Sequence, residues 1–128
     1  MAKINLKSFK KLIEGKILQF ATANKNSKPN LICVEGNKVI NDSILITNNQ
    51  MGKTFKNLKE NKKVALVAYN PGRRFYGYQF KGTAKYFTSG KYFELVKRLP
   101  SNKGWNPKGA VLIKIKEIYD LDKVKRIY

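Results

Sequence analysis

A chain of 128 residues, 42% of them hydrophobic, can build one modest core, and it reads as a single domain over residues 1–128. Its formal charge of +19 rests on 23 Lys and only 4 Arg. The Lys are spread along the chain and Arg, suited to bidentate phosphate and base contacts, is scarce, so nucleic acid is expected to bind at most non-specifically. With no His and a single Cys, Cys33, neither an internal disulfide nor a soft-ligand zinc site is available, which fits a reducing cytoplasm and no metal. No apolar run approaches the ~20 residues of a membrane span, and the N-terminus lacks the apolar region of a signal peptide.

Asn5 is placed to cap a first helix, with Leu6, Phe9 and Ile13 on one face and Gly15 at its end. Ile17 to Ala23 reads as a strand that points Leu18, Phe20 and Thr22 one way. Residues 24–28 form a turn cluster, and Pro29 opens a second strand, Asn30 to Val34, to make a hairpin. Val39-Ile40 and the run from Ile44 to Thr47 follow as short strands. Val64 to Tyr69 is almost continuously apolar, as in a strand buried on both faces. Asn70 to Arg74 is a loop, and Phe75 to Phe87 is a long alternating strand in which Gly82 marks a bend, a bulge or a close backbone approach. A short amphipathic helix begins at Ser89 or Gly90 and carries Phe93, Leu95, Val96 and Leu99. A loop with the only Trp, Trp105, leads to a last strand, Ala110 to Tyr119. About seven short strands and three short helices in the order β-β-β-β-α-β-β-α-β predict a mostly β fold, an antiparallel sheet curled into a barrel.

The stretch from Ile44 to Asn61 carries the clearest chemical signal. An apolar strand passes through a Gly-containing loop into a helix with Phe55 and Leu58 at helical spacing. The first N–H groups of a helix lack internal partners, and its dipole favours an anion there. Lys53 adds a full charge, and Thr54 and Asn57 add side-chain donors, so this corner is expected to grip a phosphate. It is no P-loop, because Thr47 stands where the first Gly of that motif belongs. An ordinary capped helix with a solvated Lys explains the same residues.

Taken in order, several short motifs resemble the pyridoxamine-5′-phosphate-oxidase-like, FMN-binding split barrels. They are Phe20-Ala21-Thr22-Ala23, Lys28-Pro29-Asn30, Ile46-Thr47-Asn48, Gly52-Lys53-Thr54 with Asn57-Leu58, Val64-Ala65-Leu66-Val67, the segment from Gly77 to Ala84, and the closing strand after Trp105. The resemblance covers nearly the whole chain. It implies an antiparallel split β-barrel, α+β with about three short helices, that dimerises with FMN bound between subunits. By the same resemblance the phosphate falls to Lys53 and Thr54 with Thr47 and Asn48 just before them. The ring lies beside Asn30, Ile32 and Cys33, Gln79 gives a polar contact, and Trp105 is an aromatic near the ring.

The resemblance has a boundary. True pyridoxamine-phosphate oxidases carry a C-terminal Arg-x-His element, whereas this sequence has no His and ends soon after its last strand, so vitamin B6 oxidation is not implied. Haem held through a His ligand is excluded. A deazaflavin stays open, with Arg73-Arg74 suited to its acidic tail. In a flavoprotein the cofactor carries the redox step, so the absence of an acid–base dyad leaves an oxidoreductase or an electron carrier equally open, and no catalytic residue is assigned. Five residues have an ordinary reading beside the flavin one. Cys33 reads as a small core residue, Tyr76 and Tyr78 as sheet packing, Gln79 as solvent-facing, and Trp105 as covered by a dimer partner.

Overall fold

The computed structural model describes residues 3–69, 72 and 76–128. Asn70, Pro71, Arg73, Arg74 and the expected strand start at Phe75 lie outside the described residues. The Asn5 side chain accepts a hydrogen bond from the Lys7 N–H at 2.9 Å and so caps a 3-10 turn, Leu6–Phe9, that runs into α1 (Lys10–Ile13). Leu6, Phe9 and Ile13 are buried by it.

The strands are β1 (Ile17–Ala23), β2 (Pro29–Glu35), β3 (Lys38–Ile40), β4 (Ser43–Asn48), β5 (Lys63–Tyr69), β6 (Gly77–Phe87), β7 (Gly109–Asp120) and a two-residue β8 (Lys125–Arg126). Helix α2 (Lys53–Glu60) joins β4 to β5, and α3 (Lys91–Arg98) lies between β6 and β7. All ladders are antiparallel, in the order β2-β1-β5-β6-β7-β4-β3, with β8 beside β7.

Two strands consecutive in the chain, β2 and β3, thus stand at opposite ends of the sheet. Only Gly36 and Asn37 separate them, so the sheet must curl until its ends approach. The Gly36 N–H donates to the Lys16 carbonyl at 2.9 Å, and the Asn37 N–H to the Leu45 carbonyl at 2.9 Å. β2 and β4 face each other across this seam without forming a ladder, which makes the barrel a split one. The expected fold is therefore the observed one.

Period-two alternation fills the interior. Leu18 and Phe20 of β1, Leu66 and Ala68 of β5, Phe80 of β6 and Val111, Ile113 and Ile115 of β7 are buried together. β5 departs from expectation, since Val64, Leu66 and Ala68 are buried but Ala65 and Val67 only partly. Its second face looks out of the barrel. Beside it, Ile17 and Leu31 are 60% and 65% exposed.

Gly82 performs the role its place in the strand suggested. Lys81 pairs with Glu117 but Gly82 pairs with Ile115, so one residue of β7 bulges there. A Cβ at Gly82 would run into the Lys114 carbonyl oxygen, which is backbone and cannot swing aside. Gly82→Ala is expected to push β6 off β7 at a cost of about 1–3 kcal/mol. Urea unfolding checks this, through a lowered midpoint at unchanged slope. A midpoint like that of the parent would mean that the bulge yields freely.

Candidate functional site

The turn from β4 into α2 is built from Asn48 and Gly52. The Asn48 side-chain oxygen accepts from the Met51 N–H at 3.0 Å, and its amide nitrogen donates to the Tyr86 hydroxyl at 2.8 Å. The Tyr86 ring packs against Phe55 of α2, centroids 4.7 Å apart. Gly52 starts the helix at φ 56 and ψ −118, a conformation that a residue with a Cβ resists. The Thr54 and Phe55 N–H groups close on the Met51 and Gly52 carbonyls, each at 3.1 Å, so part of the helix N-terminus is satisfied locally.

Two expected phosphate donors on α2 turn inward. Thr54 is fully buried and accepts from the Asn30 amide at 3.0 Å. Buried Asn57 donates to the Thr22 hydroxyl at 3.0 Å. Both side chains fasten the helix to β1 and β2. The lysines stay free of such duty. Lys53 and Lys56, both exposed, line a hollow of about 200 Å³ with Lys28, Asn30 and Glu60. The Glu60 carboxylate is engaged there by the Lys25 N–H at 3.1 Å.

A second hollow, about 290 Å³, opens at the seam between β2 and β4. Ile32, Val34, Met51 and Trp105 supply apolar surface, and Thr47, Asn37, Asn49 and Asn102 supply polar groups. The polar groups form one chain. Asn102 donates to the Val96 carbonyl at 2.7 Å and to the Thr47 hydroxyl at 3.0 Å. Thr47 in turn donates to the Asn37 side-chain oxygen at 2.6 Å, and Asn49 donates to the Asn102 side-chain oxygen at 3.1 Å. The Asn49 side-chain oxygen is buried with no hydrogen-bond partner among the described residues. A half-apolar cleft with a few fixed polar atoms is the usual form of a small-molecule site.

This split barrel has counterparts among known proteins. The pyridoxamine 5'-phosphate oxidase family matches residues 6–122. The chain belongs to that family. It is 40% identical over 116 residues to an uncharacterized protein of Methanocaldococcus jannaschii, covering 87% of this chain and 76% of that one. HupZ of Group A Streptococcus superposes with a TM-score of 0.84 at 25% identity, covering 95% of this chain and 98% of the other. An FMN-binding protein of Syntrophomonas wolfei shares the fold with a TM-score of 0.69 at 20% identity, covering 79% and 74%.

Within this pyridoxamine 5'-phosphate oxidase fold, the residues singled out from sequence fall into four places. Asn30 and Lys53 border the lysine hollow, and Ile32, Cys33, Thr47 and Trp105 border the seam cleft. Asn48 and Thr54 are buried between them in the framework. Gln79 borders neither; it pairs with Val67 and Tyr119 on the outward face of the sheet. Tyr119 on that face donates to Glu117 at 2.7 Å, which holds the Glu117 carboxyl below its ordinary pKa and the Tyr119 phenol above its own.

The core reading of Cys33 is corrected, for the thiol is exposed. Ile32 stands opposite inward-facing Phe20, so its neighbour must point outward, opposite Gln19. The packing reading of Tyr78 agrees with the structure, where it meets Phe9 edge-on at 5.0 Å. Sequence reasoning missed Asn49 and Asn102. The run Asn48-Asn49-Gln50 was a visible hint, but nothing local ties it to a residue 53 positions away.

Proposed function

We propose that this protein is an FMN-binding redox protein, a small flavin-dependent oxidoreductase or electron carrier that works as a homodimer. The observation that carries this reading is the alignment of both hollows along β2. Asn30 borders the cationic one, and Ile32 and Val34, on the same face of the strand, border the half-apolar one. The rise from Asn30 is about 7 Å to Ile32 and about 13 Å to Val34, a span suited to a ribityl phosphate chain. Lys28, Lys53 and Lys56 attract the phosphate, with Lys53 nearest the helix start. Ile32, Met51 and Trp105 offer the ring an apolar wall, and the polar chain through Thr47 and Asn102 keeps the opposite wall fixed. When bound, FMN supplies the hydride or electron transfer, while the chain binds, orients and shields it.

Trp105 is 53% exposed, and Ile17 and Leu31 are more so, which supports a second copy covering this side of the barrel. Gln79 would approach a flavin only across such an interface. A deazaflavin is the second reading, because its ring matches the same cleft; FMN is favoured because the cationic hollow accommodates one terminal phosphate. The purified protein is expected to be yellow, to release FMN on denaturation, and to elute at twice the 14.7 kDa chain mass. Apoprotein that takes up no added FMN would overturn the reading, and tighter binding of a deazaflavin in the same titration would replace it.

A further inference from the structure

We propose that Asn49 is a specificity-determining residue, whose side-chain oxygen accepts a hydrogen bond from the imide N–H of a flavin ring in the seam cleft. This rests on the FMN reading above and adds which edge of the ring is read, and by what.

The Val96 backbone oxygen has no proton to give, so the Asn102 side chain must present its NH₂ there, at 2.7 Å. That fixes the Asn102 oxygen on the other side, where it accepts from Asn49 at 3.1 Å. Rotating the Asn49 amide by half a turn would set two oxygens against each other. The polarity of Asn49 is therefore dictated by Val96 through Asn102, and it leaves the Asn49 oxygen as an acceptor. That oxygen is buried and has no hydrogen-bond partner among the described residues. Asn49 lines the cleft that also holds Ile32, Met51 and Trp105, which puts its amide beside the apolar wall.

An unmatched buried acceptor is costly, and a ligand that supplies a donor gains about tenfold in affinity over one that does not. The flavin ring system offers one N–H flanked by carbonyls on an otherwise largely apolar plate. An iron porphyrin offers no N–H at all; its polar edge consists of carboxylates, which would meet the Asn49 oxygen as acceptor against acceptor.

FMN and its N3-methyl analogue, which lacks the imide proton, are titrated into the apoprotein and followed by flavin fluorescence. The unaltered protein is expected to bind FMN about tenfold more tightly than the methylated analogue. In Asn49→Ala, FMN should weaken by a similar factor and the gap should close. Equal binding of the two ligands by the unaltered protein overturns the assignment, as does a gap that survives in Asn49→Ala. Either result with FMN still bound leaves the FMN reading standing, whereas no FMN binding in any arm removes both.

Discussion

Replacing Lys28 and Lys53 together by Ala is expected to weaken FMN binding about a hundredfold, the largest single effect on the ligand. Each lysine borders the 200 Å³ hollow at the start of α2, and each would lose one charge-assisted contact to a dianionic phosphate. Such contacts are worth about 1.5–3 kcal/mol when well formed. Both ammonium groups are exposed, so solvent screening holds the value near the low end, about tenfold per residue. The protein carries +19 overall, so the loss must be separated from a general weakening of its field. Lys91 and Lys97 of α3 border neither site hollow. Replacing those two removes the same charge and is expected to leave FMN affinity within about twofold, since distant exposed charges are screened. Matching losses in the two double variants would show that only net charge matters and would refute the phosphate site. Thr54 and Asn57 are left out of this test because both side chains hold the helix in place.

The second large effect is on stability. Phe80→Ala is expected to cost about 3–5 kcal/mol, because the ring is fully buried and its removal leaves a cavity the sheet cannot collapse into. Phe80 stands between Leu66 and Ile118 on the neighbouring strands and meets Phe9 edge-on at 5.4 Å. It therefore joins the N-terminal turn to the middle of the barrel. With total stabilities of about 5–15 kcal/mol typical, this is a large share. A fall of about 10–20 °C in the thermal midpoint is the corresponding readout. Phe80→Leu, which refills much of the volume, should lose clearly less. Under the proposed function FMN would bind only the folded form, so excess FMN should raise the midpoint of both variants. If Phe80→Ala melts with the parent, the core is not organised around this ring.

Much of the fold is legible where neighbouring residues decide it. Leu18, Phe20 and Thr22 alternate strongly enough to place β1 and its inward face. Asn5 caps the first turn through a residue two positions on, and Gly82 marks its bulge because no side chain fits there. Lys53 and Trp105 are conspicuous by residue type and local setting alone, whereas Lys28, one of 23 Lys, joins the hollow only on folding. Cys33 shows where such reading stops. Its apolar neighbours suggested a core position, yet the register against β1 turned it outward. Thr54 looked like a phosphate donor until Asn30, far off in the chain, took up its oxygen.

The order of elements and the residues at each turn are properties of the chain itself, because caps, alternation and glycine positions act over a few residues. The sheet order, the seam between β2 and β4, and the unpaired oxygen of Asn49 are decided only on folding. The physical reason is that a hydrogen-bond partner or a cleft wall is a relation between segments dozens of residues apart, and no local preference encodes which distant amide will face which carbonyl.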